Sequence, residues 1–452
     1  MGGVTRYLST WMQDVDDVSR ETKTPRLSGR VHILGMGNVG TFVAHSLAAR
    51  QSPPPITLLL HKPEFYEEFR KKKECLVVNT NGLDDIKSGF DVNVLDNGVW
   101  YSPPSSRDMT DRAASEQGPA ELQETAQAQE DEEPIECLIV CTKANVTQAA
   151  VRTVSHRLTP NSTVLLIQNG MGVFDEINRW IFPDPKKRPH YMMGIFSHGL
   201  TKKSTLHVSH MGVGTTILSP MVANNTPVAA AENDTHWAAT TKYLLRLMTL
   251  TPPLVAVAET PAGLLQYQLE KLAVNSIINP LTALSGCANG ELLYIFSYTR
   301  VIRLLLFEIS AVICALPELQ GIPGVEDRFA PERLRRRVVN VAYTTAKNRS
   351  SMLQDFQSKK ATEIDYFNGY IVRRGEELGI KCVLNYMIKH LVNSQLAVLR
   401  RREDSAIPID IDNIVLHNLE GEEELGQLEG EEFLQDETQE HNKESSQGRI
   451  PQ

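Results

Sequence analysis

The chain has 452 residues, a formal net charge of −9, 41% hydrophobic residues and 22% charged residues. That length accommodates two or three ordinary domains, and the composition excludes a collagen, a disulfide miniprotein and global disorder. The acidic balance argues against a nucleic-acid binder. The charge is unevenly spread, however: Glu403–Gln452 carries −13 and Ser105–Pro134 carries −7, which leaves the rest of the chain at +11. A basic folded part suits small anions such as phosphates and carboxylates.

Residues 1–28 read as a flexible N-terminal extension. Its Asp14, Asp16 and Asp17, with no apolar signal region, fit neither a secretory signal nor a mitochondrial presequence. The cytoplasm is therefore the expected compartment, with the mitochondrion as the alternative. Arg30–Leu34 is a strand-like run, Thr41–Arg50 a helix and Ile56–Leu60 a second strand, together the size of a βαβ unit. Cys75–Asn79 and Val92–Leu95 are short strands expected to pair antiparallel. Glu136–Thr142 and Thr163–Ile167 are apolar throughout, as strands covered on both faces are, with a helix over Asn145–Leu158 between them.

Alternating strands and helices predict a doubly wound sheet over residues 29–220. Residues 105–134 interrupt it as a disordered acidic insertion. Beyond Pro220 the periodicity turns helical, over Trp237–Met248, Gly263–Leu284, Thr299–Leu316, Pro331–Lys347 and Glu363–Leu378. The expected fold class is thus α/β: an N-terminal Rossmann-type sheet domain, then an all-helical substrate domain over residues 237–402. Residues 403–452 form an acidic tail read as disordered and solvating. The longest apolar run, Leu304–Leu316, is interrupted by Glu308 and too short to span a bilayer, so no membrane association is expected. The six cysteines show no C-x-x-C pair and no zinc-finger spacing, which predicts buried, reduced thiols and no metal.

Gly35-Met36-Gly37-Asn38-Val39-Gly40 follows a strand and opens a helix. Glycines at this spacing allow a tight turn, close backbone approach to a pyrophosphate and close helix–strand packing, and the helix N-terminus offers free N–H groups. All six residues are cofactor-binding candidates. The second strand ends in His61-Lys62 with no acid, which favours NADPH over NADH. In the helical half, Lys271, Asn275 and Asn279 recur every four residues on an otherwise apolar helix. Buried polar groups need partners, so this stripe either lines a ligand cleft or satisfies a neighbouring loop. Thr362-x-x-Asp365 has the form of a capping box that puts Glu363 in a first helical turn, where complementing the helix dipole is the simplest role.

Several stretches, in this order, resemble the ketopantoate reductase (2-dehydropantoate 2-reductase) family. They are GMGNVG (Gly35–Gly40), TKA (Thr142–Ala144), QNGMG (Gln168–Gly172), KLAVNSIINPLTA (Lys271–Ala283), NGEL (Asn289–Leu292), SSMLQD (Ser350–Asp355) and TEIDYFNGYIVRR (Thr362–Arg374). The resemblance implies NADPH-dependent reduction of 2-dehydropantoate to (R)-pantoate in coenzyme A biosynthesis. It makes Lys271 the catalytic lysine and Glu363 an acid that contacts substrate and supports catalysis. It places Lys143 and Asn169 near the cofactor, and Asn169, Asn275, Asn279 and Ser351 at the substrate. The chemistry suits the residue types, because a cationic lysine can stabilise and protonate the ketone oxygen as hydride adds to its carbon. A homodimer is the expected assembly and no nucleic acid the expected partner. A related 2-oxo acid reductase and a catalytically silent scaffold are the alternatives.

Overall fold

The computed structural model describes residues 27–103, 129–221 and 237–404; the tail beyond residue 404 lies outside them, as do most of the N-terminal extension and of the insertion. The strands are β1 (Val31–Leu34), β2 (Ile56–Leu60), β3 (Cys75–Thr80), β4 (Leu83–Ser88), β5 (Asp91–Asp96), β6 (Val99–Ser102) and β7 (Gln129–Glu130), then β8 (Cys137–Val140), β9 (Thr163–Leu166), β10 (His190–Phe196), β11 (Gly199–Ser204), β12 (His207–Gly212), β13 (Thr216–Pro220) and β14 (Ala256–Ala258). Ten of them form one sheet in the order β14-β13-β10-β9-β8-β1-β2-β5-β6-β7. The run from β10 to β5 is parallel throughout.

Every residue of β1, β2, β8 and β9 is buried, because helices cover both faces. Side chains alternate between the two faces. Ile33 joins Phe42, Val43 and Leu47 of α1 (Asn38–Ala48) on one side. Leu34 joins Val151 and Val154 of α3 (Ala144–Val154) and Ile177 of α4 (Val173–Trp180) on the other. Helix α2 (Pro63–Lys71) follows β2.

Four expectations are corrected. Cys75–Asn79 and Val92–Leu95 do not pair: β3 joins a separate sheet of order β11-β12-β3-β4, while β5 lies parallel to β2. The expected helix at Trp237–Met248 is α5 (Ala239–Thr249), and it belongs to the sheet layer, since its Leu244, Leu245 and Met248 pack with Phe42 and Leu47. The last residues of the expected insertion, 129–133, are structured. Gln129–Glu130 pairs with β6, and Asp131 accepts a 3.0 Å bond from the fully buried guanidinium of Arg157. The fold also starts before residue 29, because Ser28 donates to the Glu136 carboxylate through both its N–H and its hydroxyl.

The helical region is built on α6 (Pro261–Ser285). Its start is a cap followed by proline: the Thr260 hydroxyl accepts from the Gly263 N–H at 3.1 Å, and Pro261 occupies the first turn, where no N–H is needed. Gly286, in the left-handed conformation, ends it. Inside the helix Pro280 has no N–H, so the Ser276 carbonyl one turn earlier loses its helical donor. The Asn368 side chain supplies the replacement at 3.0 Å, docking α11 (Asn368–Glu377) on α6. The remaining helices are α7 (Phe296–Ala315), α8 (Val325–Phe329), α9 (Pro331–Thr344), α10 (Ser351–Gln357) and α12 (Val383–Asp404). Buried Glu270 of α6 takes Arg328 of α8 at 2.7 Å and Arg337 of α9 at 3.0 Å, which fixes the rotation of α6 about its axis.

The described chain divides into two units after Asn393, and the described part of the second is the end of α12. Among the described residues no helix is long and apolar enough to cross a membrane. The six cysteines are free thiols, but only Cys137 and Cys382 are buried, fewer than expected.

The proline-freed carbonyl gives a stability test. Asn368→Leu fills the same buried space and leaves the Ser276 carbonyl without a donor, so it is expected to cost about 2 kcal/mol, read as a lower urea midpoint. The same change placed where no acceptor is freed would cost far less.

Candidate active site

The parallel strands all end on one edge, and the candidate residues follow those ends. The glycine turn follows β1, His61 and Lys62 follow β2, Lys143 follows β8, Asn169 follows β9 and Phe196 closes β10. In an open α/β sheet this carboxyl edge is where ligands bind.

The turn is shaped for close approach. Gly35 has φ +99°, and a Cβ there would meet the Thr142 backbone nitrogen at 2.7 Å. A Cβ on Gly40 would lie 2.2 Å from the Gly35 carbonyl oxygen. Nothing lies within 4 Å of a Cβ on Gly37, so that side of the turn is open. Helix α1 starts there with no side-chain cap and no acid in its first turn. Its first N–H groups thus face an open cradle, which fits a diphosphate. Met36 is buried, while Asn38 and Val39 are half-buried. His61 and Lys62 are exposed just past the strand beside β1. Partial desolvation of its ring, and then the charge of the neighbouring Lys62, lower the His61 pKa.

On the facing side, α6 presents Lys271 and Asn275 to a narrow, half-open cleft, which Asn169 also lines. The Lys271 ammonium donates to the Phe196 carbonyl at 2.8 Å. Desolvation lowers its pKa from 10.5 to about 8, opposed by the carboxylate of Glu363. Glu363 is itself buried and held by one strong contact, accepting from the Ala144 N–H at 2.8 Å. Desolvation raises its pKa, against that hydrogen bond and the charge of Lys143. The acid therefore caps α3 from another part of the chain. The expected first-turn position is corrected: Glu363 precedes a 3-10 turn at Ile364–Tyr366, with α11 starting only at Asn368.

Lys143 pairs with the buried Asp355 of α10. The Met171 N–H donates to the Tyr366 carbonyl at 3.0 Å, and the Tyr366 hydroxyl to Glu176 at 2.9 Å. Sheet region and helical region are thus clasped around the cleft. Asn279 is buried one turn beyond Asn275 and does not line the free space. Ser351 is exposed; the buried hydroxyl there belongs to Ser350, which caps α10 and accepts from Thr282 at 2.7 Å. The geometry accordingly gathers Asn169, Lys271 and Asn275, but neither Asn279 nor Ser351, at the cavity.

Sequence reasoning missed Gln268, Gly194 and Ile195, which also line the cleft. Gln268 was within reach, since it lies three residues before Lys271 and so shares its helix face. Asp355 closes the SSMLQD stretch, and its pairing with Lys143, 212 residues away, leaves no local trace there. The Phe196 carbonyl carries no side-chain signal. Among the described residues no cluster of His, Cys, Asp or Glu is arranged to hold a metal ion.

A parallel sheet with a glycine turn at its carboxyl edge, joined to a helical region that brings a desolvated lysine to the same edge, defines a Rossmann-type oxidoreductase. Residues 31–223 match the family described as "Ketopantoate reductase PanE/ApbA", and residues 264–395 match its C-terminal part. The chain is 33% identical over 257 residues to the 2-dehydropantoate 2-reductase of Salmonella typhimurium, covering 57% of this chain and 73% of that one. It is 29% identical over 386 residues to a probable 2-dehydropantoate 2-reductase of Schizosaccharomyces pombe, covering 83% and 99%. A ketoisovalerate reductase of Beauveria bassiana is 25% identical over 391 residues, covering 78% and 79%. The solved structure of a PanE/ApbA family ketopantoate reductase from Ralstonia eutropha shares the fold, with a TM-score of 0.59 at 22% identity, covering 82% and 99%. The chain belongs to the ketopantoate reductase family.

Keeping an ammonium desolvated has a cost that a stability measurement reads. Below pH 8 the folded and unfolded states both hold the Lys271 proton and the full penalty applies. From about 8 to 10.5 the folded state releases it first, so stability recovers as pH rises. Lys271→Met is therefore expected to raise stability at pH 7 by about 1–2 kcal/mol and to flatten that recovery, seen by urea unfolding across this range.

Proposed function

We propose that this chain reduces 2-dehydropantoate to (R)-pantoate with NADPH. The observation that carries the reading is the Lys271 ammonium, held desolvated with a pKa near 8 beside Asn169 and Asn275 in a cleft at the sheet's carboxyl edge. The glycine turn Gly35–Gly40 would hold the cofactor diphosphate and Lys62, with His61, its ribose phosphate. A reduced nicotinamide bound there supplies the hydride. Lys271 holds a proton on Nζ for the ketone oxygen, where negative charge develops, and regains it from solvent afterwards. The amides of Asn169 and Asn275 orient the anionic substrate, joined by Gln268 on the same helix face. Glu363, when ionised, favours the ammonium form of Lys271 through its charge.

Asn279, buried on α6, and Ser351, exposed at the start of α10, remain substrate-binding candidates. A homodimer is the assembly we expect. A second reading, reduction of 2-ketoisovalerate, is favoured by the Beauveria bassiana relative that bears that activity in its name. The two substrates differ by one hydroxymethyl group, so a site built to bind its hydroxyl rejects the one lacking it strongly.

The assay is NADPH oxidation with 2-dehydropantoate and with 2-ketoisovalerate. Turnover of the first at higher kcat/KM supports the reading, and a preference for the second replaces it. Lys271→Ala is expected to lower kcat by about 10²–10⁴-fold. In the wild type, kcat/KM falls as pH rises through about 8, because the proton donor is lost there. Retention of full turnover by Lys271→Ala would reject the assigned role. Lys62→Glu is expected to weaken NADPH use by about tenfold with NADH little affected, measured as the ratio of the two kcat/KM values.

A further inference from the structure

The partner of Lys271 is a backbone atom, and backbone atoms are aimed by what packs behind them. The Phe196 carbonyl that accepts from Lys271 stands at the end of β10, and two residues on is the buried His198. Its ring lies 4.8 Å from the Phe196 ring and 5.3 Å from that of Phe42 in α1, centroid to centroid. His210 of β12 completes the group, 4.7 Å from Phe42 and 5.3 Å from His198.

Both nitrogens of His198 are committed. Nε2 lies 2.9 Å from the Leu254 carbonyl, which can only accept, so Nε2 carries the hydrogen. Nδ1 lies 3.3 Å from the Gly214 N–H, which can only donate, so Nδ1 presents its lone pair. The 3.2 Å contact between His198 Nδ1 and His210 Nε2 is then a bond donated by His210. These contacts define a single neutral tautomer, and burial, lowering the His198 pKa, favours that neutral form. Ser197 between them is tied three times to Thr215: its N–H and hydroxyl donate to the Thr215 carbonyl, and its hydroxyl accepts from the Thr215 N–H. A Cβ on Gly214 would lie 2.4 Å from the Ser197 carbonyl carbon, so the two segments touch backbone to backbone.

We infer that His198, fixed by Leu254, Gly214 and His210, is a positioning residue that aims the Phe196 carbonyl at Lys271 and so couples the helix behind the glycine turn to the proton donor. The inference rests on the role given to Lys271 above. The coupling path is short: Phe42 of α1 touches both rings, and the Phe196 backbone touches the lysine. His198 meets neither substrate nor the reacting atoms; it acts through Phe196.

His198→Phe and His210→Phe keep the aromatic volume and remove the ring nitrogens. Two readouts are taken on the full chain. The first is kcat with whichever 2-oxo acid the wild type reduces. The second needs no substrate: the pH dependence of Nζ acylation at Lys271, followed by peptide mass spectrometry. Loss of aim is expected to lower kcat about tenfold. It is also expected to lower the acylation midpoint by about half a unit or more, because a carbonyl that favours the ammonium form has moved away. An unmoved midpoint in folded His198→Phe overturns the inference, whatever kcat does. So does loss of the fold in both variants, since the rings would then be structural. If the wild type turns over no 2-oxo acid, the proposed function fails while the acylation readout still decides the role of His198.

Discussion

One constraint organises this molecule: a largely desolvated ammonium, Lys271, and a buried carboxylate, Glu363, must each be answered where the sheet and helical regions meet. Each alone would be expensive to bury. Lys271 is held by a carbonyl at the end of β10 and Glu363 by a free N–H at the start of α3, so each answers a backbone group that the sheet leaves without a partner. The helical region thus completes the hydrogen bonding of the sheet region, and the sheet region solvates the charges of the helical one. Neither half satisfies its polar groups by itself.

The rest of the helical region serves that arrangement. Glu270, next to Lys271, is gripped by two arginines from α8 and α9, so the helix cannot roll and carry the lysine away. Pro280, two turns further along, opens a carbonyl that Asn368 fills, and α11 is the helix that follows Glu363. The proline that weakens α6 locally is what registers it against the segment carrying the acid. Lys143 with Asp355, and Tyr366 with Glu176, clasp the margins of the same cleft.

How much of this the sequence displays depends on the range over which each signal acts. The glycine turn and the four-residue spacing of Lys271 and Asn275 are local patterns with a fixed geometric meaning, and they are legible. Helical periodicity over Trp237–Met248 reveals an apolar face but not which layer that face will cover, so α5 is easily assigned to the wrong region. Asn81-Gly82, with φ of 52° and 87°, is a hairpin turn that names β3 and β4 as partners, a short-range signal that outweighs the apolar similarity of Cys75–Asn79 to Val92–Leu95. The Glu363 partner lies 219 residues away and is a backbone N–H, and the Lys271 partner is a carbonyl. No residue type encodes either. Ser350 and Ser351 illustrate the finest limit, since adjacent identical residues have opposite environments, one a buried cap and the other exposed.

The position of β6 and β7 in the sheet order carries a consequence for engineering. They are antiparallel neighbours at the end farthest from the strands that carry the site, with Ser102 opposite Gln129. Ser102 and Gln129 therefore lie at adjacent points, and Asp131, locked to Arg157, anchors the second of them. Adding residues between two points already held together costs only about 0.6 kcal/mol of closure entropy per doubling of length. That edge is a place where a reporter domain or an affinity sequence could be grafted into the middle of the chain, leaving both termini free and the catalytic cleft undisturbed.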